Sequence, residues 1–220
     1  MDTDELWAAI DAQRLRTADL LDTLTPEEWD LPSLCEGWTV HDVAAHLTLQ
    51  QMTLGPALLG ALRHPGSINH VIAASARDLA GHPPDQLVSE IRAMVGSRRH
   101  VVGLSPHETL IDNVVHGQDI AVPTGRVLEV PPDVAAVAAT RVWRDQASRM
   151  GRVKSAVFRR LPYDGHRLVA TDTEWTAGEG PEIRGPVLAL LLLLTGRAAA
   201  VSQLDGEGRT DLVDRLATGG

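Results

Sequence analysis

Ser105-Pro106-His107-Glu108-Thr109-Leu110-Ile111-Asp112-Asn113-Val114-Val115-His116-Gly117-Gln118-Asp119-Ile120-Ala121-Val122 is the stretch on which the fold turns. It opens as a helix start. Ser105 is a capping residue, Pro106 takes the first helical position, and Glu108 stands where a capping box needs an acid. Pro123 and Gly125 require the helix to finish by about Val122. Asp112 and His116 are four residues apart, so both side chains leave one face of this helix. His116 follows Val114 and Val115, and an inward histidine among apolar residues needs a polar partner.

The segments before this helix read the same way. Leu6, Ile10, Leu20, Leu21 and Leu24 predict an amphipathic helix over roughly 4–24. Thr25-Pro26-Glu27-Glu28 starts a short helical turn around Trp29. Pro32 to Trp38 breaks the pattern. Thr39 to Asp42 then opens a helix of roughly 40–62 carrying Val43, His46, Leu47 and Leu54. Ile68 to Leu79 suits a further short helix. His82-Pro83-Pro84-Asp85 restarts the chain, and Leu87 to Val102 makes another long one. After the central stretch, Pro131-Pro132-Asp133 opens an Ala/Val-rich helix to about Met150. The connections are short enough for an antiparallel bundle.

Near residue 151 the texture changes. Arg167 to Trp175 reads as a strand, Gly178 to Pro181 as a turn, and Ile183 as the start of a second strand. Gly185-Pro186 opens an apolar helix closed by Gly196, and Asp211 to Leu216 makes a last one. The expected architecture is mainly α: a helical bundle over 1–150 and a small α/β domain over 151–220.

Composition narrows the function. The chain has 220 residues and 44% hydrophobic residues, enough for a sizeable core. Its formal net charge of -9 argues against nucleic acid as a partner. The longest apolar run, Val187 to Thr195, is well short of the ~20 residues of a membrane span. Cys35 is the sole cysteine, so no intrachain disulfide forms and a reducing setting is natural. The polar start, Met1 to Glu5, does not read as a signal peptide. A cytoplasmic protein is expected, as a monomer or homodimer acting on a small molecule.

Among the nine histidines, His46 and His116 are set apart by their mid-helix, apolar surroundings. A carboxylate and an imidazole at Asp112 and His116 can chelate one divalent ion, with zinc bonds of about 2.0–2.2 Å. The same pair can also form a simple salt bridge. Asp42 and His46 are a rival pair at the same spacing, although Asp42 is also needed to cap its own helix. Asp119, three beyond His116, can orient the imidazole. Cys35 fits a small buried residue better than a nucleophile. Trp38 fits packing as well as ligand contact. Arg77 and Arg197 are candidates for holding carboxylates.

The run Leu34-Cys35-Glu36-Gly37-Trp38-Thr39-Val40-His41-Asp42-Val43-Ala44-Ala45-His46-Leu47 resembles the signature of the mycothiol-dependent maleylpyruvate isomerase family, among the DinB-like metal-binding bundles. Val115-His116-Gly117-Gln118-Asp119-Ile120 is similar to its second histidine motif. Arg184-Gly185-Pro186, the leucine run and Thr195-Gly196-Arg197 look like the start of its C-terminal domain. The resemblance implies a four-helix bundle holding one zinc ion through histidine, carboxylate and histidine, at His46, Asp112 and His116. The family's carboxylate is Glu where this chain has Asp, one methylene shorter. The resemblance also implies mycothiol, or a similar small thiol, as cofactor, with Trp38 near the site entrance and the C-terminal domain, just before Arg197, against the site. The implied activity is isomerase or thiol transferase. Two readings from other classes stand beside it: a helical module acting through protein contacts, and a metal-dependent hydrolase with His41 or Asp119 as base.

Overall fold

The computed structural model describes residues 1–51, 81–101, 103–148, 158 and 160–218. They form two compact units, Met1–Glu129 and Val130–Gly220.

The first unit is a bundle. α1 (Thr3–Leu21) starts on Asp2, whose carboxylate accepts from the amides of Asp4 and Glu5 while Glu5 returns a bond to the Asp2 amide. α2 (Pro26–Trp29) is the short turn expected around Trp29. α3 (Val40–Thr48) starts on a Thr39–Asp42 box and tightens into a 3-10 turn at Leu49–Gln51. α4 spans Pro84–Ala93. It stops earlier than expected because Gly96 takes a left-handed conformation, φ 80°, which ends the helix. α5 (Pro106–Ala121) is the central helix, opened by the Ser105–Glu108 box.

α1 packs against α4 and α5, and α3 packs against the same two. The four helices therefore close a ring around a common core. Val43, Ala44, Leu47, Leu87, Ile91 and Ile120 lie within it, all at most 1% exposed. α5 is buried around most of its circumference, which explains its apolar run. The expected helix over 68–79, the distal part of the expected 40–62 helix, and Arg77 lie outside the described residues.

The second unit begins earlier than expected. α6 (Pro132–Ala147) packs on α7 (Val187–Leu194), so the boundary falls at 129/130 and not near 150. The reason is physical. α7 is apolar on every side, with seven of its eight residues buried, and it requires cover on more than its sheet face. α6 offers Val134, Ala135, Ala138 and Val142 for that purpose. The change of texture near 151 precedes the strands but does not mark the edge of the unit.

The sheet has three strands in the order β2-β1-β3: β1 (Arg167–Ala170), β2 (Thr176–Gly178) and β3 (Glu182–Gly185). β1 pairs antiparallel with β2 and parallel with β3. The single strand expected over 167–175 is thus half of a hairpin. The chain turns through Thr171–Glu174, and Asp172 accepts from the Val187 amide at 2.9 Å, fixing the start of α7. A 3-10 turn (Ala198–Gln203) and α8 (Gly208–Ala217) complete the unit. Among the described residues no helix is long and apolar enough to cross a membrane.

Candidate metal centre

Two helices of the bundle bring the candidate ligands together. On α5, Asp112 and His116 lie one turn apart on one face, as the spacing requires. On α3, His46 sits in the last turn and faces them. His46 Nε2 is 3.2 Å from Asp112 Oδ1, and His116 Nε2 is 3.4 Å from the same oxygen. All three donor atoms lie within 4.8 Å of one another. The imidazole rings are 4.8 Å apart, edge to face.

The two separations from Asp112 Oδ1 are those of a coordination shell. Bonds of about 2.0–2.1 Å at tetrahedral angles put neighbouring ligand atoms about 3.3–3.4 Å apart. The donor set, two imidazoles and one carboxylate, is also that of open zinc sites. The residues present therefore fit a divalent ion of this kind.

Each ligand is held by a further contact. Asp119 is fully buried, and its Oδ2 lies 2.8 Å from His116 Nδ1. That bond places the Nδ1 proton toward Asp119 and leaves Nε2 for the centre. Gln50 donates from Nε2 to Asp112 Oδ2 at 2.7 Å, and its Oε1 accepts from Asn113 at 2.8 Å. His46 lies edge-on to Trp38, with ring centres 5.4 Å apart. Its Nδ1 is buried without a hydrogen-bond partner.

The loop between α2 and α3 supplies one wall. Pro32 and Thr39 form a bridge, Ser33 takes the Trp38 carbonyl at 2.8 Å, and Gly37 makes the turn with φ 78°. The Leu34 amide donates to the Asp119 carbonyl at 3.3 Å, which ties this loop to α5. Trp38 consequently stacks parallel to His116 at 6.5 Å and also packs on the bundle core. Trp38 thus packs as the sequence suggests. Cys35 is half-buried, with Sγ 3.4 Å from Asp119 Oδ2 and 3.9 Å from His116 Nδ1.

Cys35, His116 and Asp119 form a second group of potential ligands. It uses the other nitrogen of His116. The 2.8 Å approach of Asp119 to that nitrogen is a hydrogen bond and is shorter than a tetrahedral edge. This group orients His116, and the His46–Asp112–His116 group is the better cradle. The rival Asp42–His46 pairing is resolved by capping: Asp42 Oδ2 accepts from the Thr39 amide and hydroxyl at 2.9 and 3.0 Å.

The electrostatics follow from burial and pairing. Burial pushes the Asp112 carboxyl up, but the His46 charge and the hydrogen bonds of His116 and His46 outweigh it. They hold Asp112 well below the usual carboxylate range. Burial likewise pushes His116 down, and its bonds to Asp112, Asp119 and Cys35 outweigh this and hold it well above the usual histidine range.

Gln50 was not anticipated from the sequence, although it stands four residues after His46 on the same face. Arg197 belongs to the second unit. It is 8% exposed, donates from Nη1 to the Thr195 carbonyl at 2.5 Å, and lies over the Phe158 ring.

Comparison with known proteins gives a consistent result. No curated protein matches the sequence. Two solved structures match the fold over 94% of this chain and 93% of theirs. One is a crystal structure of the mycothiol-dependent maleylpyruvate isomerase, with a TM-score of 0.58 at 14% identity. The other is a histidine-to-alanine mutant of that isomerase, with a TM-score of 0.59 at 15% identity. A family model described as the mycothiol maleylpyruvate isomerase N-terminal domain matches residues 10–130, more than half of the chain and nearly the whole bundle. The chain therefore belongs to the mycothiol maleylpyruvate isomerase family, a family of enzymes.

Proposed function

We propose that the protein is a metal-dependent enzyme using mycothiol or a similar small thiol, an isomerase or S-transferase acting on a small electrophilic substrate. The observation that carries the reading is the convergence of His46, Asp112 and His116, with Asp112 Oδ1 at 3.2 and 3.4 Å from the two imidazole nitrogens. These three side chains would hold the ion, zinc by their donor set. A divalent ion there would bind a thiol in its deprotonated, nucleophilic form.

The chain's own residues prepare the site. Asp119 fixes the tautomer of His116, and Gln50 fixes the Asp112 carboxylate. Trp38 supplies an apolar wall beside both imidazoles, in the place for the thiol cofactor or its adduct. Arg77 and Arg197 are assigned the carboxylate groups of thiol or substrate, which an arginine fork meets with two hydrogen bonds. Aspartate in place of the family's glutamate keeps the charge and still reaches both histidines. The reaction class follows from thiol chemistry. Addition to a cis double bond, rotation and elimination return the thiol, whereas addition alone yields an S-conjugate.

The test is anaerobic purification, metal analysis, and incubation with mycothiol and a set of cis-alkenoic acids, following both substrate geometry and free thiol. An isomerase changes geometry with thiol conserved, and a transferase consumes thiol in step with substrate. A metal-free protein that does neither would leave a helical module acting through protein contacts.

A further inference from the structure

α1 carries a polar cluster that the centre described above does not use. Gln13, Arg14 and Thr17 face inward on the same stripe as Ile10 and Leu21, and none is more than 1% exposed. Among the described residues Arg14 is the largest fully buried side chain.

One nitrogen of Arg14 has a structural task. Nη1 donates to the carbonyls of Met94 at 2.8 Å and Ser97 at 3.2 Å, and lies 3.2 Å from Asp11 Oδ1. Asp11 in turn accepts from the Gly96 amide at 2.9 Å. These contacts clasp α1 to the turn that ends α4. The other edge of the guanidinium has none. Nε and Nη2 are both buried without a hydrogen-bond partner, and so is Nε2 of Gln51. Burial pulls the pKa of Arg14 down, opposed by the charge and hydrogen bond of Asp11 and by the charge of Asp112, and the group stays a cation.

Buried donors on a cation are costly when unmet. The Nε–Nη2 edge is also the fork that a carboxylate meets with two parallel hydrogen bonds. The guanidinium feels the charge of Asp112, and a chain of contacts joins it to the candidate centre. Ser97, which accepts from Arg14, donates its hydroxyl to Gln51 at 3.2 Å, and the adjacent Gln50 holds Asp112.

We propose that the buried, unpaired edge of Arg14 is a carboxylate receptor inside the bundle, which docks one carboxylate of a small anionic ligand beside the Asp112 centre. The proposal rests on reading that centre as a small-molecule site, but not on the identity of the metal or thiol. The anion matches what is missing: one planar, singly charged group for one planar, two-donor edge. Lysine in this position would keep the charge without the fork.

The test is calorimetric titration of the metal-loaded protein with maleate and with its neutral diamide, for the wild type, Arg14→Gln and Arg14→Lys. Metal content is measured on the same samples. Maleate should bind the wild type saturably, and its affinity should fall at least about tenfold in both variants, with metal content unchanged and little response to the diamide. Arg14→Lys decides the matter if Arg14→Gln does not fold, because the ammonium can keep the clasp to the α4 end. Equal maleate affinity in wild type and variant overturns the proposal, as does wild type without saturable maleate binding at millimolar concentration. A wild type purified without metal would instead count against the proposed function, so the two failures are distinguishable.

Discussion

Lowering the pH should strip metal from this protein, and should begin to do so above the ordinary histidine range. In the metal-free chain burial pushes His116 down, but its bonds to Asp112, Asp119 and Cys35 prevail and hold it well above 6.5. The extra proton sits on the Nε2 side, against Asp112, where the ion must bind. Binding therefore releases that proton. While His116 is protonated in the metal-free state, each unit of pH changes affinity by about tenfold, or about 1.4 kcal/mol. Asp112 is held well below 3.8 and contributes no competing proton in this range.

Stability of the metal-free chain runs the other way. A pKa raised by folding stabilises fully below the unfolded value, about 6.5, and that contribution is lost as pH rises through the folded value. Asp112 has the opposite sign, and its contribution is lost only on acidification below about 4. Between about pH 6.5 and the folded pKa of His116, the metal-free chain weakens while metal binding strengthens, so the gap between their melting temperatures widens. Competition with a chromophoric chelator across a pH series measures the affinity, and thermal unfolding of both forms measures the gap. An affinity indifferent to pH between about 6 and 8 would refute the reasoning, since no proton would then be displaced from His116.

His46→Ala or His116→Ala should remove metal and activity together, because two remaining donors hold an ion poorly. Asp112→Glu should be milder, since it supplies the carboxylate usual in the family; metal analysis and turnover check both. Gln50→Leu removes the 2.7 Å bond to Asp112 and should weaken metal binding by about 10–100-fold in chelator competition, with the helical circular-dichroism signal retained. Gly180→Ala should destabilise the second unit by at least about 1–3 kcal/mol in denaturant unfolding. Gly180 has φ 116°, and an added Cβ would lie 2.0 Å from the Gly165 carbonyl oxygen.

Much of the bundle is legible in local signals. The Ser105–Glu108 and Thr39–Asp42 boxes mark two helix starts, and the i,i+4 spacing puts Asp112 and His116 on one face. The approach of His46 is not local. It depends on how α3 lies against α5, and before the structure only the family resemblance connected the two helices. Gln50 has the helical spacing from His46, but a neutral amide carries no ligand or charge signal that would single it out. Arg14 is harder to find: Ile10, Leu20 and Leu21 mark the inward stripe of α1, and no local signal shows that a charged residue lies on it. The unit boundary was displaced because composition reports where strands begin, whereas packing of α6 on α7 decides where a core begins.

The central claim is a metal held by His46, Asp112 and His116 that accepts a thiol sulfur from solution. X-ray absorption at the metal edge of the zinc-loaded protein, with and without mycothiol, tests it most directly. The account predicts nitrogen and oxygen neighbours alone in the thiol-free protein, joined on addition of mycothiol by one sulfur at about 2.3 Å. A sulfur neighbour before mycothiol is added would place the ion on Cys35 instead, and no sulfur after its addition would contradict the thiol chemistry.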